Sequence, residues 1–126
     1  MSRAAEAPAV QPATYCLSLL VLEPRELRVG ALGRVRLPAG WYTYTGSARR
    51  GLEARIARHL RRRKPLGWHI DYLTADRQVL VVAVARYAEP ECRVNQRQGG
   101  RVLVPGLGAS DCRSRCGSHL RYHSEG

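Results

Sequence analysis

The hydrophobic pattern divides the first part of the chain into several short strands. Residues 14–23 form an apolar run rich in Leu and Val, which is typical of a β-strand. In residues 25–30 and 33–38 apolar and polar positions alternate, as they do in two half-buried strands joined by a short hairpin link. Residues 41–45, WYTYT, predict a further strand, which we expect to be broken at Gly46.

The next segment has a helical period. Apolar residues recur at every fourth position and predict an amphipathic helix. This stripe consists of Leu52, Ile56 and Leu60. The same spacing places Arg55 and His59 one above the other on a single helix face. We expect Pro65 and Gly67 to close the helix.

The last part of the chain combines one strong strand signal with weaker patterns. A short helix is predicted near Trp68, and residues 79–88 are apolar enough for a buried central strand. Residues 90–98 predict a short helix and residues 99–111 a loop. The order of elements predicts an α+β domain with a small, mostly antiparallel sheet flanked by helices. We place this domain at residues 14–123, after a flexible N-terminal arm at residues 1–13.

The charge of the chain is far from neutral. There are 21 Lys and Arg residues against 10 Asp and Glu, which gives a net charge of +11. Such an excess predicts a polyanionic partner, with nucleic acid ahead of a membrane surface. No apolar run approaches the roughly 20 residues of a membrane span, and the first residues lack the apolar core of a secretory signal. We therefore expect a cytoplasmic protein without a membrane partner, and no feature indicates its oligomeric state.

Three sequence features together resemble the GIY-YIG nuclease superfamily. They are Tyr15 in the first strand, Tyr44-Thr45-Gly46-Ser47 at the end of a later strand, and Arg55 in the helix that follows. The segments GWYTYTGSA, ARIARHL, WHIDYL and GASDC…SHL resemble a compact branch of this superfamily. Members of that branch occur alone or joined to a DNA repair glycosylase of the endonuclease III type. The resemblance runs from about Tyr15 to Tyr122, although Ala13-Thr14-Tyr15 lacks the glycine and isoleucine of the superfamily's name.

The resemblance implies a metal-dependent endonuclease-like domain that cleaves phosphodiester bonds in DNA and serves in DNA repair. It implies one Mg²⁺ or Mn²⁺ ion held by a single glutamate, a tyrosine that orients or deprotonates water, and an arginine that grips the phosphate. The glutamate should follow the long apolar strand, where Glu91 is the first choice and Glu89 the second. DNA is then the expected partner, together with an endonuclease III-type glycosylase.

The physical properties of these residues fit that chemistry. Tyr15 and Tyr44 would bring two hydroxyls to one sheet edge, and Gly46 would let a phosphate approach the backbone beside a helix N-terminus. The expected catalytic residues are Tyr15, Tyr44, Arg55, His59, His69 and Glu91. The expected nucleic-acid contacts are Gly46, Ser47, Arg58, Arg62, Arg63 and Lys64.

Several of these residues also have a structural interpretation. Tyr42 and Tyr44 would simply pack on the helix, His59 would be a structural histidine, and the basic run ending at Lys64 would complement the helix C-terminus. His69 and Asp71, two positions apart, would share a face only on a strand. They are either a metal-binding or acid–base pair, or else the neighbouring Trp68 and Ile70 are core and Asp71 fixes a loop.

The cysteines add a second candidate site. Cys16 lies in the first apolar strand, and we expect it to be buried. Cys112, Cys116 and His119 place three soft ligands within eight residues, and Cys92 would complete a Cys₃His zinc site. A disulfide, which is unusual in the cytosol, and unlinked thiols are the alternatives.

Three functions of different classes are therefore open. A nuclease predicts Tyr15, Tyr44, Arg55 and a glutamate around one concave site. A non-catalytic nucleic-acid-binding module of the same fold predicts the same basic face without a carboxylate that can hold a metal. An accessory domain would bind another protein through the Cys/His end of the chain. The position of Glu91 separates the first two.

Overall fold

The computed structural model describes residues 12–109 and 116–125. The predicted arm therefore lies almost wholly outside the described residues. The elements in chain order are β1 (Thr14–Val21), β2 (Arg25–Arg28), a 3₁₀ turn (Gly30–Leu32), β3 (Arg34–Leu37), β4 (Gly40–Ser47), α1 (Leu52–Leu60), α2 (His69–Thr74), β5 (Val79–Tyr87), α3 (Glu91–Gln98) and β6 (Leu120–Ser124). The predicted α+β class with a mostly antiparallel sheet is confirmed.

The main sheet has four antiparallel strands in the order β5-β1-β4-β6. Its register pairs Leu17 with Tyr44 and Leu19 with Tyr42. Because directly opposite residues point to the same side of a sheet, these four side chains form one apolar face. All of them are buried, and Cys16 on the other face is buried too, as expected.

Helices and a hairpin cover this apolar face. Ile56 of α1 and Ile70 of α2 are buried in the same core cluster. The strands β2 and β3 pair separately, with Leu27 opposite Val35. Val35 and Leu37 from this hairpin are buried in the core, which confirms the alternating pattern predicted for it.

The structure contradicts the prediction of a buried central strand at residues 79–88. β5 lies at one edge of the main sheet, where it pairs with β1. Most of its side chains are partly or fully exposed, and Val82 is 46% exposed. The central strands are β1 and β4, because long-range pairing sets strand order and an apolar composition alone does not.

The predicted break after residue 45 is also wrong. β4 continues to Ser47 and pairs Gly46 with Tyr15 of β1. A Cβ atom at Gly46 would lie 2.4 Å from the Tyr15 hydroxyl oxygen. The glycine is therefore needed because the tyrosine ring occupies the space of its side chain, and not because the chain turns.

Helix α1 ends earlier than predicted and presents a different face. It ends at Leu60, five residues before Pro65, and Leu60 is 54% exposed. His59 takes the buried position instead, with 1% exposure. Its ring has a partner in the core, the Tyr15 hydroxyl, so a polar residue replaces the expected apolar one.

The last strand, β6, was not predicted. Its sequence LRYHS is short and polar, and it is defined by pairing with β4, for example Tyr122 with Tyr42. The loop predicted at residues 99–111 is confirmed for its described part, residues 99–109, which adds one bridge between Arg101 and Tyr122. Among the described helices, none has the length and apolar character that a bilayer span requires.

Candidate functional site

A cleft of about 840 Å³ opens beside the ends of β1 and β4. Its lining brings together residues that are far apart in the sequence. They are Tyr15, Tyr44, Gly46, Ser47, Arg49, Arg55, Gly67, Trp68, His69, Pro90, Glu91, Cys92, Gly108 and His119. Five of the six expected catalytic residues are in this lining, and the sixth, His59, lies directly behind Tyr15.

Tyr15 and His59 form a buried pair at the floor of the cleft. The tyrosine oxygen lies 2.6 Å from Nε2 of the histidine. Burial raises the pKa of Tyr15 far above its usual range, although the nearby Arg55 opposes this effect. Burial, and next the charge of Lys64, lower the pKa of His59 to about 4. Both groups are therefore neutral at pH 7, which suits Tyr15 to orienting a water molecule.

Tyr44 lies beside this pair. Its ring centroid is 6.4 Å from that of Tyr15 and 6.2 Å from that of His59. Burial raises the pKa of Tyr44 far above its usual range, and the nearby Tyr15 adds to the effect. Its hydroxyl is a neutral group at the cleft wall. Tyr44 therefore both packs in the core and lines the cleft, which the sequence presented as alternatives.

Arg55 supplies positive charge to the cleft. Its guanidinium donates a hydrogen bond to the Ser47 carbonyl oxygen at 2.7 Å. It also lies 4.6 Å from the ring centroid of Trp68. These contacts anchor the cation where β4 meets α1, and an arginine has further donors for an anion.

Glu91, the first residue of α3, is the cleft's carboxylate. Its Oε1 accepts a hydrogen bond from the Ser47 hydroxyl at 2.5 Å, and its Oε2 lies 2.5 Å from Nδ1 of His119. Burial alone would raise the pKa of Glu91. The hydrogen bonds from His119 and Ser47, together with Arg55, outweigh that effect and lower it. Glu89 lies outside the cleft lining and pairs with Arg97.

His69 and Asp71 have separate surroundings. His69 begins α2, lines the cleft, and accepts the Gly108 N–H on Nδ1 at 3.0 Å. Asp71 is fully buried and accepts the backbone N–H groups of Gly67 and Trp68 at 2.9 and 2.8 Å. Asp71 thus fixes the turn before α2, and the two side chains form no pair.

The residues expected to contact nucleic acid divide into two groups. Gly46 and Ser47 line the cleft. Arg58 instead binds Asp71 through two hydrogen bonds of 2.9 and 3.0 Å. Lys64 donates to the carbonyls of Arg58 and His59, both at 3.1 Å, and so caps α1.

The last two expected nucleic-acid contacts, Arg62 and Arg63, lie outside the cleft lining. Arg62 donates to the Asp76 carbonyl at 2.5 Å, and Arg63 is exposed. Together with Lys64, these positions give the end of α1 a positive surface whose contacts are largely structural.

A second group of possible ligands lies at one end of the cleft. Potential ligand atoms of Cys92, Cys116 and His119 lie within 4.8 Å of one another. Cys92 comes from the first turn of α3, whereas the other two residues come from the segment before β6. These three residues are chemically able to hold a metal ion. The fourth expected ligand, Cys112, lies outside the described residues.

Trp68 is the main cleft residue that the sequence does not assign to the site. One of the two alternatives for this segment places Trp68 and Ile70 in the core; Ile70 is fully buried, but Trp68 is 41% exposed. Arg55 and Arg58, both from α1, lie against its ring at 4.6 and 4.2 Å. Their spacing of three positions along the helix could have indicated one shared aromatic partner. Arg49 also lines the cleft and carried no sequence signal, whereas Gly108, which lines it too, is the first residue of the GASDC segment.

The sequence profile of a known family matches residues 14–126. The family is described as a domain of unknown function, DUF123, and the chain belongs to it. Neither a curated protein nor a solved structure matches the chain. The match covers the whole of the described fold, including the cleft and the Cys/His cluster.

Proposed function

We propose that the protein is a metal-dependent endonuclease that cleaves phosphodiester bonds in DNA at this cleft. The observation that carries the proposal is the position of Glu91. It lines the same cleft as Tyr15, Tyr44 and Arg55, so a carboxylate, two neutral hydroxyls and a cation face one space. The resemblance to GIY-YIG nucleases supports the same reaction from the sequence.

The electrostatics of the cleft favour a phosphate. Arg55 and Arg49 line it, and the whole chain carries a net charge of +11. Cleavage of a phosphodiester needs a positioned nucleophile and positive groups near the charge that develops in the transition state. In the proposed mechanism Arg55 binds the scissile phosphate, and the hydroxyls of Tyr15 and Tyr44 orient the attacking water.

The proposed metals follow from ligand chemistry. Each oxygen of Glu91 accepts one hydrogen bond and keeps a lone pair, and Mg²⁺ or Mn²⁺ suits such sparse oxygen ligation. The ion would supply Lewis-acid stabilisation of the phosphate oxygens. Cys92, Cys116 and His119 fit Zn²⁺ instead, because thiolate and imidazole ligands select the softer ion.

The biological setting is also a proposal. The resemblance implies a role in DNA repair and an endonuclease III-type glycosylase as a partner. A cytoplasmic location is consistent with the thiol-rich cluster, because thiols persist under reducing conditions. A glycosylase would create damaged sites on which an endonuclease then acts.

The proposal is tested with end-labelled single-stranded, duplex, flap and four-way-junction DNA in Mg²⁺ or Mn²⁺. We expect the wild type to cleave at least one substrate and Arg55→Ala to cleave it ~100-fold or more slowly, since a group that stabilises transition-state charge is lost. Arg34→Ala is the matched control, because Arg34 is an exposed arginine on β3, outside the cleft lining. Equal rates for the two variants would contradict the proposed site.

A non-catalytic DNA-binding module is the second candidate. It is favoured by the contacts of Glu91, since both carboxylate oxygens already have a protein hydrogen-bond partner. This function predicts that DNA binds, that Arg55→Ala weakens binding, and that no metal supports cleavage. Fluorescence anisotropy of the same labelled substrates measures binding beside the cleavage assay.

A further inference from the structure

His119 belongs to the Cys/His cluster and also contacts the cleft carboxylate. Its Nε2 is 4.0 Å from the Cys92 sulfur, and its Nδ1 is 2.5 Å from Oε2 of Glu91. The same Nδ1 is 3.2 Å from the Thr45 carbonyl oxygen. One imidazole therefore has one nitrogen directed at a cysteine and the other held by a carboxylate and a backbone acceptor.

This arrangement is the usual environment of a metal-bound histidine. A ligating imidazole almost always donates its second N–H to a carboxylate or a carbonyl, which fixes the tautomer and the ring orientation. With Glu91 and Thr45 accepting at Nδ1, the proton is placed there and Nε2 keeps the lone pair that a metal requires. His119 is only 2% exposed, so its ring is held by its surroundings.

The distance between Cys92 and His119 can be compared with that in a tetrahedral zinc site. Bonds of about 2.3 Å to sulfur and about 2.0 Å to nitrogen place these two atoms about 3.5 Å apart. The 4.0 Å between Cys92 Sγ and His119 Nε2 is thus about 0.5 Å longer than the separation in a site that holds zinc. Three protein ligands leave the fourth position for water.

Neighbouring residues hold the two ligand-bearing segments together. Gln96, one helical turn after Cys92 on α3, donates to the Cys116 sulfur at 3.6 Å. Asn95 on the same helix donates to the Ser118 carbonyl at 3.0 Å and ties α3 to the segment that carries Cys116. These contacts join the two ligand-bearing segments without a metal.

We propose that Glu91 is the outer-shell carboxylate of a zinc centre formed by Cys92, Cys116 and His119, in addition to being the cleft carboxylate. Zinc at the cluster fixes His119, and His119 fixes one oxygen of Glu91, while Ser47 fixes the other. The second role of Glu91 rests on the proposed function, whereas the zinc centre does not. Zn²⁺ at the cluster would thereby position Glu91, the proposed ligand of Mg²⁺ or Mn²⁺.

The test is a titration of reduced, chelator-treated protein with Co²⁺, which replaces Zn²⁺ and absorbs visible light. We expect thiolate-to-cobalt charge-transfer bands that saturate at one equivalent and disappear when Zn²⁺ is added. Loss of an outer-shell partner weakens metal binding by ~10–100-fold. We therefore expect Glu91→Gln to bind Co²⁺ that much more weakly than the wild type.

Glu89→Gln is the matched control, because Glu89 is on the same segment but pairs with Arg97 outside the cleft. Its Co²⁺ affinity should equal that of the wild type. Absence of charge-transfer bands in the wild type, or equal affinities for the two glutamate variants, would overturn the proposal. No nucleic acid is present, so a protein that fails to cleave DNA can still pass this test.

A second measurement guards against a folding defect in Glu91→Gln. Because a ligand that binds only the folded state raises the midpoint of unfolding, Zn²⁺ should raise Tm of the wild type more than Tm of Glu91→Gln. Circular dichroism establishes that the variant is folded before metal is added. An equal rise in Tm for both proteins would also overturn the proposal.

Discussion

At the scale of single residues, the cleft depends on the absence of a side chain at Gly46. Gly46 lies opposite Tyr15 in the sheet, and the tyrosine ring passes over the position where a Cβ atom would be. This close approach brings the Tyr15 hydroxyl to His59. The sequence motif indicated that a glycine was needed here, but only the strand register shows that it makes room for the tyrosine.

Gly46→Ala should destabilise the protein by ~1–3 kcal/mol, because overpacking a filled site displaces its neighbours. Tyr15→Leu shortens the opposing side chain, so the double variant should recover ~1 kcal/mol relative to the sum of the single changes. Gly67→Ala is the control, since its Cβ atom would meet an ordinary contact at 3.9 Å. Urea unfolding of the four proteins gives the cycle, and strict additivity would contradict the steric account.

His59 should make stability depend on pH. Its folded-state pKa of about 4 lies below the ordinary 6.5, so the unfolded chain binds more protons between these values. Stability should therefore fall as the pH is lowered from about 6.5 to 4, by up to ~3 kcal/mol. The contribution is measured as the difference in unfolding free energy between the wild type and His59→Gln. Parallel pH profiles for the two proteins would show that His59 is not buried as a neutral ring.

At the scale of elements, α1 and α2 are joined by buried charge. Asp71 in α2 is fully buried and binds Arg58 of α1 as well as two backbone N–H groups. Lys64 caps the last turn of α1 and donates to Thr74 of α2 at 2.6 Å. The basic run after α1 thus stabilises the contact between α1 and α2, which its sequence alone does not indicate.

Asp71→Asn should destabilise the protein by ~3 kcal/mol, because it leaves Arg58 without its charged partner and weakens the turn before α2. Glu53→Gln is the comparison. It removes an ion pair with Arg86 between two exposed side chains, which contributes little to stability because solvent screens it. Urea unfolding measures both changes. A cost for Asp71→Asn no larger than that for Glu53→Gln would contradict the structural role of the buried pair.

The elements differ in how well the sequence predicts them. The hairpin of β2 and β3 and the existence of α1 follow from periodicity, since their apolar positions face one core. The edge position of β5 and the strand β6 do not, because both are set by pairing between distant segments. In α1 His59 is buried where the apolar stripe predicted Leu60, which is exposed. The sequence could not show this, because it depends on the hydrogen bond that Tyr15 offers His59 in the core.

At the scale of the whole molecule, the fold gathers four segments of the chain around one cleft. The β1–β4 segment brings the tyrosines, α1 brings Arg55, and α3 with the segment before β6 brings Glu91 and His119. The sequence predicted most of these residues by type and motif. It could not predict the contact between Glu91 and His119, because 28 positions separate them and only folding joins the two candidate metal sites.

If Glu91 holds a divalent metal in a DNA-cleaving cleft, as proposed, replacing this residue changes how cleavage depends on Mn²⁺ concentration. With Zn²⁺ held at saturation, we expect Glu91→Gln to need ~10-fold or more Mn²⁺ for half-maximal cleavage and to remain slower at saturation. Glu89→Gln should match the wild type. The same Mn²⁺ dependence in Glu91→Gln and the wild type, or no cleavage by the wild type at any Mn²⁺ concentration, would contradict this role of Glu91.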